Sequence, residues 1–209
     1  MLEGLDTIDW SSLTHAHGPA TDVPDLLRSL LSENADRWME ACAVLHETIW
    51  HQGTVFSASA AAIPFLFELA THPAVEDSGC AISRSGCAVS LLCAIVTGEG
   101  LLQYGLRVDG EQRLRARLAR HGRSLEKALG EERATMAAIQ LGVSAGLRHL
   151  LPYLSHPAPD LRAHVAAALG EFPEHGSWLL PAIDTALPSE SDEHVRKVLA
   201  ESKARLTNG

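Results

Sequence analysis

The chain has 209 residues, 30 of them Ala and 31 Leu against 28 Val, Ile and Thr together, a balance that favours helix over sheet and argues against an all-β protein. Its apolar share of 46% is enough for a packed core, which excludes general disorder, and no apolar run reaches the roughly 18 residues of a membrane span. The net charge of -9 sits at the front: residues 1–76 hold 11 Asp and Glu against Arg28 and Arg37, whereas residues 77–209 balance 15 acidic with 15 basic residues.

In chain order, residues 1–21 read as an N-terminal cap or arm in which Trp10 and Leu13 cover the end of the first helices. The Met1–Trp10 stretch lacks the basic start and apolar core of a signal peptide, so cytoplasmic residence is expected. Apolar spacing places helices near 22–32, 35–50, 57–71, 78–96, 111–128, 131–148, 149–155, 160–170, 176–187 and 191–206. Asp22 and Asp160 are expected N-caps, and Gly170 is placed to end its helix as a C-terminal cap. The Gly-rich segment 97–110 and the Arg-rich stretch after it read as an irregular insertion near 97–128, and residues 207–209 as a disordered tail.

Internal comparison gives the organisation. Val23-Pro24-Asp25-Leu26-Leu27 is echoed by Ile63-Pro64-Phe65-Leu66-Phe67, and Leu151-Pro152-Tyr153-Leu154 by Leu180-Pro181-Ala182-Ile183. Proline suits the first turn of a helix, where its missing N–H costs nothing. An apolar-Arg pair recurs in Leu161-Arg162 and Val195-Arg196, each with a further apolar residue four positions after the first. On these motifs, and on DWSSL, WHQGT and AAIPFLFELA in the first half, the chain resembles HEAT-repeat proteins of the lyase-repeat type, including actinobacterial members without assigned activity. The resemblance is best over residues 147–206, fair over 22–72 and poor over 73–146. It implies an all-α fold, a right-handed α-solenoid of about four to five irregular helix pairs over residues 22–206, forming one domain.

Candidate chemistry concentrates around residues 45–54. His46-Glu47 followed by His51 is not a zinc protease motif, because a second His at i+5 points about 140° away from the first on a helix. Trp50, at i+4 from His46, should lie beside it, while His51, Gln52 and Gly53 suit a tight helix-ending turn. A polar-aromatic pocket would instead use Trp38 and Trp50 as anchors with His46, Glu47, His51, Gln52 and Thr54 as polar contacts. Arg113, Arg117, Arg120 and Arg123 belong to a basic stretch, residues 113–127, that reads as a solvated helix face or as a patch for an anion or partner. His15-Ala16-His17 lacks nominated further ligands, and Cys42, Cys80, Cys87 and Cys93 form no close pair and read as reduced core thiols. No metal and no cofactor is expected.

Three classes of function follow. The first is a non-enzymatic binding module that recognises a partner protein through a concave surface, an inhibitor or immunity-like protein being one form of it, since an acidic half with Trp anchors would suit a basic partner. The second is a small-molecule-binding protein or enzyme with its site in the groove around His46, Glu47, Trp50 and His51, as the resemblance to phycobilin lyases implies. The third is DNA binding, as in HEAT-like DNA glycosylases, which the charge of -9 opposes.

Overall fold

A computed structural model describes residues 1–72 and 83–208 and is mostly helical, with ten α-helices and five two-residue strands among the described residues. The front half runs β1 (Thr14–His15), β2 (Gly18–Pro19), α1 (Val23–Ser29), α2 (Ala35–Thr48), β3 (Trp50–His51), β4 (Thr54–Val55) and α3 (Ser57–Thr71). Then come α4 (Arg84–Thr97), β5 (Glu99–Gly100), α5 (Leu101–Val108), α6 (Glu111–Ala119), α7 (Leu125–Gly146), α8 (Pro159–Leu169), α9 (Gly176–Ala186) and α10 (Glu193–Asn208). None of these helices is long and apolar enough to cross a membrane.

Polar side chains set several helix starts: Asn34 accepts from the Arg37 N–H, Ser83 from Gly86 and Ser124 from Lys127, opening α2, α4 and α7. The expected caps Asp22 and Asp160 do not act in this way. Asp22 makes no capping bond and instead pairs with His15 at 3.0 Å, while Asp160 lies inside the first turn of a helix that Pro159 opens. Pro24 occupies the first turn of α1 as its geometry favours, but Pro64 and Pro181 lie inside α3 and α9, each leaving one carbonyl without its helical donor. Gly170 is not left-handed. A Cβ there would come within 2.9 Å of Ser202 Oγ and 3.1 Å of its Cα, so the glycine is needed for the close approach of α8 to α10.

The insertion near 97–128 is helical rather than irregular. It comprises α5, α6 and the start of α7, separated by Gly110 at φ +81° and Gly122 at φ +68°, so the expected single helix over 111–128 is broken. Leu114, Leu118, Leu125 and Ala128 form a small core of their own, with Leu102 and Leu106 against it. Glu132 fastens this unit to α7: its two carboxylate oxygens accept the backbone N–H groups of Leu102 and Gln103, at 2.6 and 3.0 Å, at the start of α5. The expected helix over 149–155 is a pair of 3-10 turns, Leu147–His149 and Leu151–Ser155. Thr207 and Asn208 continue α10 and are not part of a tail; the segment 78–82 of the expected helix 78–96 lies outside the described residues.

Packing follows a consistent order. Helix α2 packs on α4, α4 on α8 and α8 on α10, while α3 packs on both α4 and α7. The N-terminal arm closes the front, where buried Trp10 donates its indole N–H to Leu5 O and sets its ring 6.4 Å from that of Phe65.

At the other end the repeated arginines converge. Arg162 meets Glu190 through two bonds of 2.7 and 2.8 Å and also donates to the carbonyls of His156 and Pro157, while Arg196 donates to the backbone carbonyl of Glu190. The Arg162 and Glu190 side chains are only 14% and 6% exposed, and the guanidinium, aided by the Asp192 N–H, holds the Glu190 carboxyl at about 2. Because folding lowers that pKa, the pair contributes its full stability above the ordinary carboxyl range and loses it as pH falls toward 2. Arg162→Ala should cost about 3 kcal/mol in urea unfolding at pH 7, because it strands the Glu190 carboxylate, and should remove part of the stability lost between pH 5 and 2. An unchanged midpoint at pH 7 would show that the pair is neutral.

Candidate functional site

Helix α4 forms the floor of a groove between α2 and α8. Ser83, Gly86, Cys87, Ser90, Ala94 and Thr97 recur at three- and four-residue spacings, so they share one face, and all are small. Cys42, His46 and Trp50, each four residues apart, supply one wall from α2 and the residue pair beyond it. Leu161, His164 and Ala167 of α8 supply the other. Small side chains on the floor leave space, which divides into a cavity of about 280 Å³ beside Cys42 and Cys87 and one of about 230 Å³ beside Trp50. His46, Ser90 and His164 line both, so the two cavities meet at these three residues.

The polar groups at that junction are open to solvent, His164 fully and His46 and Ser90 in part. Among the described residues, the His46 and His164 rings and the Ser90 hydroxyl make no hydrogen bond, and the buried Trp50 Nε1 has no partner. The His46 and Trp50 rings stand edge to face with centroids 6.1 Å apart, as their i+4 spacing requires. Burial lowers the His46 pKa, the neighbouring His164 adds to this, and Glu47 opposes both, so the imidazole is held in its neutral form. The His156 pKa is also lowered, by burial and then by Arg162.

The groove crosses a disulfide. Cys42 and Cys87 are joined, with Cα atoms 6.4 Å apart, which corrects the expectation that all four cysteines are reduced thiols. A pairing across 45 residues has no local signature; it arises because α2 is laid along α4. Cys93 is free and buried, and burial pushes its thiol far above the ordinary range, so it is not an activated nucleophile. Cys80 lies outside the described residues.

The expected pocket residues divide between three places. His46 and Trp50 reach the groove, whereas Trp38 is 2% exposed and packed in the main core. Glu47 and His51 lie on another face, where they approach to 3.3 Å and the His51 ring meets that of His17 at 5.5 Å. Gln52, at φ +49°, and Gly53, at φ +89°, form the tight turn of the β3–β4 hairpin, and buried Thr54 donates to His51 O at 2.8 Å to brace it. His15 Nδ1 accepts from the His17 N–H, which leaves Nε2 as the donor to Asp22. Among the described residues no group of three or more His, Cys, Asp or Glu could hold a metal.

The basic stretch is largely neutralised within the molecule. Arg115 pairs with Glu111 and Glu126, Arg117 with Asp109 at 3.3 Å, and Arg123 with Glu131 at 2.7 Å. Arg113 and Arg120 are exposed and make no ion pair among the described residues. No protein-family model matches the chain, and no curated protein matches its sequence.

The disulfide closes a long loop of chain and should therefore stabilise the fold by about 4 kcal/mol, mainly by restricting the unfolded ensemble. Reduction, or Cys42→Ser, should lower the urea midpoint by the corresponding amount, and mass analysis of the alkylated protein should show two blocked cysteines released together. Alkylation of Cys42 in the untreated protein would contradict the bridge.

Proposed function

We propose that the chain is a non-catalytic binding module, a HEAT-like helical stack that takes a small ligand in the groove between α2, α4 and α8. Support for the stack comes from the packing order α2, α4, α8, α10 and from the paired arginines that meet at Glu190. The observation that carries the ligand reading is the junction of the two cavities, where His46, Ser90 and His164 make no side-chain hydrogen bond among the described residues. Polar groups without a protein partner, converging on an otherwise apolar recess, are what a small-molecule site requires. Catalysis has no such support among the described residues: the Cys93 thiol is un-ionised, and Glu47 and His51 do not face the groove.

Screening a fragment library by amide and indole NMR tests this reading. Hits should shift the resonances of His46, Trp50, Ser90 and His164 together, leaving His15 and His17 unmoved. Ser90→Phe, which fills the junction, should abolish those shifts while the melting temperature changes by no more than a few degrees. Hits scattered over the surface, or unaffected by Ser90→Phe, would overturn the proposal.

A partner protein is the second reading, favoured by the outer face of α2. Asp36 and Glu40 are exposed there without ion pairs among the described residues, next to Met39, which is 39% exposed. Such a surface suits a cationic partner. A polylysine peptide should bind in low salt and lose at least tenfold in affinity on combined Asp36→Lys and Glu40→Lys substitution; equal binding by wild type and variant would remove this reading.

A further inference from the structure

We infer that the outer face of α7 is an interface for a second copy of this chain, the two α7 helices lying antiparallel across a twofold axis. The inference does not depend on the groove, whose walls it does not use.

Helix α7 has distinct inner and outer faces. Ile139, Val143 and Gly146 are buried, and Gly146 lies so close to α3 that a Cβ there would fall 2.3 Å from Phe67 Cζ. The opposite face carries Glu131, Ala134, Ala138, Leu141, Ala145 and Arg148, alternately three and four residues apart and all exposed. Arg148 stands in the 3-10 turn that continues α7, where a three-residue step keeps it in line with Ala145. Leu141, at 75%, is the most exposed large apolar side chain among the described residues. No charged residue occurs between Ala134 and Leu147, although this face is open to solvent. A helix face left to water ordinarily carries charge, as α10 does with Arg196, Lys197, Glu201 and Arg205.

The order of residues along the face indicates what covers it. The spacing reads the same in both directions, so an antiparallel second α7, with the axis between Ala138 and Leu141, sets Leu141 against the partner's Ala138. The same register sets Ala134 against the partner's Ala145 and Glu131 against the partner's Arg148, and symmetry makes each contact twice. Large side chains meet small ones and acid meets base, which is the self-complementarity that a twofold interface requires. A parallel pairing would instead bring Leu141, Glu131 and Arg148 each against its own copy. The end charges are accessible for this role. Arg148 lies over the Trp178 ring at 4.6 Å with no carboxylate partner among the described residues. Glu131 pairs with Arg123 at 2.7 Å and Lys127 at 4.0 Å, yet its side chain stays 53% exposed. The seam is roughly 25 Å long at 1.5 Å per residue, so it falls at the small end of specific interfaces and association should depend on concentration.

Sedimentation velocity of the full oxidised chain in low salt, from about 10 µM to about 1 mM, should show monomer giving way to dimer. Leu141→Glu, at an exposed position, should raise the dissociation constant at least about tenfold by burying like charges, with the melting temperature unchanged. Glu131→Arg alone or Arg148→Glu alone makes both end contacts like-charged and should weaken the dimer about tenfold. Mixing these two variants, or combining both substitutions in one chain, restores opposite charges at both ends and should return association to within about twofold of wild type. That recovery also shows that each single variant is folded. A chain that stays monomeric throughout, or a dimer indifferent to Leu141→Glu, would overturn the inference. Loss of the dimer in Leu141→Glu with equal association by every charge variant, or no recovery on mixing, would overturn the antiparallel pairing.

Discussion

Helix α4 must be covered on nearly every side. Its buried residues, from Ser85 through Val96 with gaps at Ser90 and Ala94, run around almost the whole helix, so it cannot lie at a surface. Helices α2, α3, α7 and α8 are all held against it, and the disulfide fixes one of those contacts covalently. The two residues that interrupt this burial are small and polar or small and apolar, and both border the cavities. The groove is thus what remains when helices close around a helix whose residues on one face are too small to fill the space between its neighbours.

Much of the helical framework was legible in the sequence because periodicity and capping act locally. The expected helix at 57–71 coincides with α3, and that at 35–50 with α2 to within two residues at its end. Two-residue strands are too short to produce an alternating pattern, so both small sheets were invisible, including the parallel pairing of β4 with β5. Helix α5 was hidden by its glycines. Gly105 reads as a helix breaker, yet it is buried against Leu114 and the Arg117 guanidinium, where a larger residue would crowd both.

The same division between local and distant information governs the candidate site. His46 and Trp50 could be placed side by side from their spacing alone, and the angle that separates His51 from His46 was equally readable. Ser90 and His164 could not be, because they come from helices far apart in sequence, and on its own helix His164 looks like any exposed histidine. The small-residue face of α4 was the available signal. Small side chains accommodate close helix packing equally well, and only the positions of α2 and α8 show that Gly86 serves Leu161 in this way while Ser90 borders empty space. Charge was misleading for a related reason: the net charge of residues 113–127 omits Asp109, Glu111 and Glu131, which lie just outside the stretch in sequence and against it in space.

The separate core of the inserted helices has a consequence for cooperativity. Leu114, Leu118, Leu125 and Ala128 share no buried cluster with the main core, and the backbone of α5 is tied to the main body largely by the Glu132 carboxylate and the short β4–β5 pairing. The molecule therefore comprises two units that can open at different free energies, with α5 and α6 the weaker. Proton exchange from their amides with solvent reports on that sub-global opening, while exchange from the centre of α4 waits on disruption of the whole fold.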